Sequence, residues 1–152
     1  MIHTVSETLT TFAEGIGRFE AGTPNVAGAI GLAAACQYLT QLSMAGVAQY
    51  EAAYTRYLLE ALDTIQAVRV LGDKPKGIVS MVVDGVHPHD LASLLDHHGV
   101  ASRAGHHCTM PLMHFFKVPA TLRVSVGIYN TLKEISVLIK ALEQAIALFK
   151  RG

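Results

Sequence analysis

A small sheet with helices packed on it, preceded by two long helices, is the α/β or α+β architecture that three observations predict for this 152-residue chain. Short β-branched runs recur after Val68 and alternate with stretches of 3.6-residue apolar period. Ahead of them lie two long helical patterns and few strand signals. The length suits one core, and 51% apolar residues against 16% charged supply it without disulfide or metal.

Taken in order, Ile2 to Val5 reads as a short strand, and Thr10 to Gly22, with Gly15, Gly17 and Gly22 among polar residues, as a loop. Thr23 then serves as an N-cap with Pro24 at the first helical position. The helix runs to about Leu42, and its Ala27, Ala29, Ala33 and Ala34 predict close packing against another element. A second helix from Ala45 places Val47, Tyr50, Tyr54, Tyr57, Leu58, Ala61, Leu62 and Ile65 in one stripe. Val68–Leu71 and Ile78–Val83 are strands joined by the turn Gly72 to Gly77. Pro88, Asp90, the leucines 91, 94 and 95, and Gly99 then spell a short helix with both ends marked. Val100 to Ser102 and Leu122 to Val126 are further strands. Finally Thr131 and Glu134 form a capping box opening a helix with Ile135, Leu138, Ile139, Leu142 and Ile146 on one face.

Twelve basic residues balance twelve acidic ones, which gives no footprint for nucleic acid or an anionic membrane surface. The apolar stretch Val26–Cys36 is broken by glycines and falls short of a membrane span. The opening residues read as a strand and not as a secretory signal. Two distant cysteines suit a reducing compartment, with cytoplasm as the default expectation.

The chemistry concentrates in Arg103-Ala-Gly-His-His-Cys108, where a thiol follows two imidazoles, a glycine and a guanidinium. A free cysteine, with pKa about 8.5, is only a few per cent thiolate at neutral pH, and neighbouring cationic groups raise that fraction. Cys108 therefore reads as a nucleophile on a loop that ends at a helix start, with His106 and His107 tuning it. Cys36, by contrast, reads as a small buried hydrophobe. Seven of the eight histidines fall between His87 and His114, yet adjacent ligand types and the lack of C-x-x-C or H-x-x-x-H spacing argue against a metal. His97 and His98 instead suit the end of their helix.

Arg123 alternates with Leu122 and Val124, so it leaves the apolar face, and a guanidinium there is a natural bidentate clamp for a carboxylate. Arg103 flanks the thiol five residues before it, and each arginine also fits an ordinary surface ion pair. Gly22 and Thr23 before a helix have anion-binding geometry suited to a phosphate, although taken alone they read more simply as an ordinary N-cap.

Together Arg18-Phe-Glu-Ala-Gly-Thr-Pro-Asn25, Arg103-Ala-Gly-His-His-Cys-Thr-Met-Pro-Leu-Met113, Leu122-Arg123 and Tyr129-Asn-Thr131 resemble the cysteine desulfurases and selenocysteine lyases of the class V aminotransferase-like family, sulfur-mobilisation type. The resemblance implies the small C-terminal domain of a fold-type I pyridoxal-phosphate transferase over residues 45–152. Residues 1–44 would then close the large domain, with a phosphate-contacting loop and a connecting helix. It implies that Cys108 attacks the sulfur of L-cysteine (or L-selenocysteine) held by pyridoxal 5'-phosphate, leaving a persulfide and alanine. Arg123 and Arg103 would hold the substrate, and Gly22 and Thr23 the cofactor phosphate of the neighbouring subunit in a homodimer. A sulfur-acceptor protein and supply to iron–sulfur cluster assembly follow from the same resemblance.

None of the six lysines, Lys74, Lys76, Lys117, Lys133, Lys140 and Lys150, suits the family's Schiff-base position, so the resemblance implies a C-terminal segment only. The same residues also suit a non-catalytic thiol module that carries persulfide or docks with a partner. A Cys/His hydrolase fits poorly, because contiguous His106, His107 and Cys108 do not oppose a base to a nucleophile.

Overall fold

A computed structural model describes residues 1–73 and 76–150. The chain divides into two compact units, Met1–Leu42 and Ser43–Gly152.

In the first unit β1 (Ile2–Val5) and β2 (Thr10–Phe12) pair antiparallel, with Thr4 opposite Thr11. A 3-10 turn, Gly15–Arg18, follows. The segment expected to be all loop thus contains a strand and a helical turn. The hydroxyls of Thr4 and Thr11 bond across the hairpin, a pairing that glycine content alone conceals. Arg18 lies over the rings of Phe12 and Phe19, 5.2 and 5.9 Å from their centroids.

Helix α1 (Val26–Gln41) is capped by Asn25 and not by Thr23: the Asn25 Oδ1 accepts the Gly28 N–H at 2.9 Å. Both residues are good caps, but only the one three positions before an amide of the first turn closes the loop. Pro24 therefore stands outside the helix. Every α1 residue is exposed, including Cys36, which corrects the expectation of a small buried hydrophobe. The alanine face likewise meets no partner within this unit. None of the described helices is long and apolar enough to cross a membrane.

The second unit is an α+β sandwich. Helix α2 (Met44–Asp63) is followed by β3 (Val68–Leu71), β4 (Ile78–Val83), α3 (Pro88–His97), β5 (Arg103–Gly105), α4 (Met110–Phe116), β6 (Thr121–Ser125) and α5 (Leu132–Phe149). The strands form one sheet in the order β3-β4-β6-β5, every neighbour antiparallel. One face carries Val79, Met81, Val83, Leu122 and Val124 onto α2, α3 and α5, which contribute Leu58, Leu62, Leu91, Leu95, Leu138 and Leu142 to the core. Alternation along each strand leaves Ser80, Thr121 and Arg123 on the opposite face.

The α2 stripe is narrower than its periodicity suggests, since Tyr50 and Tyr57 are exposed while Tyr54 is buried. The Tyr54 hydroxyl donates to the Thr131 carbonyl at 2.9 Å, tying α2 to the start of α5. There the capping box is present, and the Glu134 carboxylate also accepts from the Asn130 amide at 2.6 Å. The edge strand begins at Arg103, three residues later than Val100–Ser102 were expected to pair, and Val100 packs against the core instead. β6 likewise starts at Thr121 and ends at Ser125, one residue earlier than expected. In the β3–β4 turn, Gly77 has φ of +66°, donates to Thr55 Oγ1 at 3.0 Å, and accepts the Val126 N–H at 2.7 Å. Lys74 and Pro75 of that turn lie outside the described residues.

Candidate functional site

Sheet register assembles the site. Leu71, Ser80, Arg123 and Arg103 are successive partners across β3, β4, β6 and β5, so one row on the open face ends in two guanidiniums on adjacent strands. Like charges directly opposite on neighbouring strands are unfavourable without an anion between them. Arg103 is exposed, while Arg123 is half-buried, and its buried Nε has no partner among the described residues. A desolvated guanidinium N–H is a strong donor suited to a carboxylate.

After β5 the chain turns sharply. Gly105 takes φ of +130°, which only glycine adopts readily, and residues 106–109 form a turn closed by the Thr109 N–H on the His106 carbonyl at 2.8 Å. Both central residues are left-handed, His107 at +52° and Cys108 at +58°. For non-glycine residues such backbone costs about 1–3 kcal/mol each, and it persists only where surrounding bonds enforce it. The Cys108 N–H donates to His106 Nδ1 at 3.2 Å. Thr109 Oγ1 donates to the His106 carbonyl at 2.7 Å, and His107 Nε2 bonds Thr121 Oγ1 at 3.0 Å. Helix α4 starts directly afterwards, with Thr109 as its N-cap.

A cavity of about 420 Å³ opens between α4 and the free sheet face, lined by Ser80, His107, Thr109, Met113, Thr121 and Arg123 among others. Cys108, which is exposed, falls in sequence between two lining residues, His107 and Thr109. Burial holds the His107 imidazole below the ordinary histidine range, and the Arg123 charge adds to that. A hydrogen bond to the Thr121 backbone offsets part of it, while Arg103 and His106 push the same way as burial. His107 is therefore neutral at neutral pH. A larger cavity of about 570 Å³ on the helical side, bordered by Tyr54, Leu58, Val124 and Leu138, holds neither thiol nor arginine.

The structure thus brings Arg103, Arg123, His107 and the Cys108 turn together, with His106 bracing that turn. Gly22 and Thr23 belong to the first unit: Gly22 has φ of +82° with open space beside it, and Thr23 is exposed with its hydroxyl released from capping duty. Thr121 and Ser80 escape sequence reasoning. The available signal is alternation, because each shares the strand face that carries Arg123. His97 sits in the last turn of α3 and His98 at its C-cap, while His87 caps the other end through Nδ1.

Pyridoxal phosphate is the cofactor of the family that the residues resemble, and the first unit offers a place for its phosphate. A glycine with open space, an uncommitted hydroxyl and the start of a 16-residue helix suit its phosphate. In the second unit, no lysine among the described residues lines the cavity that contains Arg123.

The aminotransferase class-V family model matches residues 1–138. A probable cysteine desulfurase of Vibrio cholerae serotype O1 is 46% identical over 149 residues, covering 97% of this chain and 37% of the relative. A cysteine desulfurase of Enterobacter sp. strain 638 is 44% identical over 146 residues, 95% of this chain and 36% of the relative. Among solved structures, the S-sulfonic acid form of an Escherichia coli cysteine desulfurase superposes with a TM-score of 0.85 at 33% identity, over 97% of this chain and 37% of that one. The chain spans a little over a third of the length of the relatives it matches. On its fold and on a family match over most of its length, the chain belongs to the aminotransferase class-V family.

Proposed function

We propose that this chain supplies the sulfur-accepting part of a pyridoxal-phosphate-dependent cysteine desulfurase, which converts L-cysteine to L-alanine and leaves the sulfur as a persulfide on Cys108. The observation that carries the reading is the arginine pair beside the thiol turn: two opposed guanidiniums, one with an unpartnered buried N–H, next to an exposed cysteine.

Arg123 takes the substrate carboxylate, with Arg103 at the outer side of the same row. Held there, the substrate presents its sulfur toward the Cys108 turn. The Cys108 thiolate forms the new sulfur–sulfur bond as the substrate carbon–sulfur bond breaks. The carbon keeps that electron pair, and protonation there yields alanine. Bound pyridoxal phosphate supplies the electron sink that makes that carbon–sulfur bond labile. His106 and His107 shape the turn, and His107, being neutral, adds no charge beside the two arginines. Gly22 and Thr23 contact the cofactor phosphate of the neighbouring subunit of a homodimer, and the anchoring lysine comes from outside this chain.

The persulfide on exposed Cys108 passes to an acceptor protein in the cytoplasm, serving iron–sulfur cluster assembly. L-selenocysteine is the alternative substrate. A second reading, a persulfide-carrying module without turnover of its own, is favoured by the lack of a lysine among the described residues that line the cavity.

The test is a chimera in which this chain replaces the matching segment of the Vibrio cholerae relative, assayed for alanine release from L-cysteine. The reading expects turnover that Cys108→Ser abolishes and Cys36→Ser preserves. Turnover that survives Cys108→Ser overturns it.

A further inference from the structure

We propose that His107 and Thr121 are positioning residues for the Cys108 thiol: their side-chain hydrogen bond anchors the left-handed 106–109 turn to β6 and so holds the thiol beside the arginine cavity. The inference rests on the reading of Cys108 as the sulfur-accepting nucleophile.

The turn needs an anchor. His107 and Cys108 are consecutive left-handed residues, which the backbone disfavours. The bonds among residues 106–109 are local, joining positions two or three apart. Such bonds can be kept while the turn swings as a unit. Among the described residues, the side-chain bond that reaches from this turn to another element is His107 Nε2 to Thr121 Oγ1, across fourteen positions.

Thr121 makes that anchor selective. It is 1% exposed, on a strand held by β5 through the Gly105 pairing, in a place where valine would serve packing equally well. A buried hydroxyl without a partner is unfavourable, and Thr121 Oγ1 has His107 as its side-chain partner. Any turn conformation that withdraws the imidazole strands that hydroxyl. Burial and the two arginines keep the ring neutral, so the clamp adds no third positive charge to a site already holding two.

The experiment compares alkylation of Cys108 by iodoacetate and iodoacetamide in the full 152-residue chain, with peptide mass spectrometry as the readout. Cys36, on a helix without a charged residue, is the internal reference. The anionic reagent reports proximity of the thiol to the guanidiniums, and the neutral one reports the thiol itself. In the unaltered chain, the iodoacetate-to-iodoacetamide ratio at Cys108 should exceed that at Cys36, and Arg123→Gln should lower it. Thr121→Val, which keeps shape and loses the hydroxyl, should lower the ratio about fivefold, the size of one ordinary hydrogen bond. Thr121→Ser should restore it. His107→Asn tolerates left-handed backbone but lacks an atom at the Nε2 position, and should behave like Thr121→Val even if the latter fails to fold. His107→Gln, with its amide at that position, should retain the ratio. An unchanged ratio in folded Thr121→Val and His107→Asn, with the Arg123 dependence intact, overturns the clamp alone. A ratio at Cys108 equal to that at Cys36 and indifferent to Arg123 overturns the nucleophile reading and the clamp with it.

Discussion

Replacing Arg103 by glutamine should stabilise the free chain while weakening its hold on carboxylates. Arg103 and Arg123 are direct cross-strand partners, whose Cβ atoms usually stand about 5 Å apart, and the repulsion is worked for guanidiniums about 6 Å apart. At that distance Coulomb's law gives about 0.7 kcal/mol of repulsion in water and about 3 kcal/mol at an effective dielectric of about 20. The exposure of Arg103 selects the lower figure, which also falls in the range of about 0.2–1 kcal/mol measured for cross-strand pairs. With a urea slope of about 2 kcal/mol per molar, Arg103→Gln should raise the unfolding midpoint by about 0.3 M in low salt. The gain should shrink in about 1 M salt, where the screening length falls to about 3 Å. The complementary measurement is thermal unfolding with and without L-alanine, the proposed product, which should stabilise the unaltered chain more than the variant. A midpoint that falls or stays put on Arg103→Gln in low salt would refute the repelling pair, and with it the argument that the row awaits an anion.

Leu142, fully buried on α5, should cost about 2–5 kcal/mol when truncated to alanine, which thermal denaturation will show as a drop of about 6–15 °C. His107 is held neutral in the folded chain, so the unfolded chain binds the extra proton first as pH falls. Its contribution is fully present above the unfolded histidine pKa near 6.5 and is lost as pH drops through the lower folded value, so urea midpoints from pH 7.5 to 5 should decline less steeply in His107→Gln. For Glu134 the carboxyl is held below its usual range by the Asn130 amide and the Thr131 N–H, so Glu134→Gln should remove a stability loss that otherwise sets in on acidification below about pH 4.5. The chain by itself, given pyridoxal phosphate and L-cysteine, should release neither sulfide nor alanine at enzymatic rates, because no lysine among the described residues lines the arginine cavity.

The helices and strands of the second unit are largely legible because periodicity and end signals agree there. Pro88 and Gly99 bracket α3, Thr131 and Glu134 open α5, and the bounds of β3 and β4 follow their β-branched runs. Where pairing decides instead of propensity, the sequence misleads. β5 begins at Arg103 because β6 offers partners from Thr121 to Arg123, whereas Val100, the better strand former, is drawn into the core. Two cap-forming residues two positions apart, Thr23 and Asn25, leave the start of α1 ambiguous until the Gly28 bond is seen. In the site, the reactive types in Arg103–Cys108 announce themselves. The opposition of Arg103 to Arg123 depends on register, and the role of Thr121 on burial, neither of which is written in residue order.

The central claim is that Cys108 receives the sulfur. Peptide mass spectrometry of the chimeric enzyme, quenched shortly after mixing with L-cysteine, tests it most directly. The account predicts a gain of one sulfur atom on the peptide containing Cys108, absent from Cys108→Ser and unaffected by Cys36→Ser. Sulfur found on any other cysteine, with the Cys108 peptide unmodified while alanine accumulates, would contradict it.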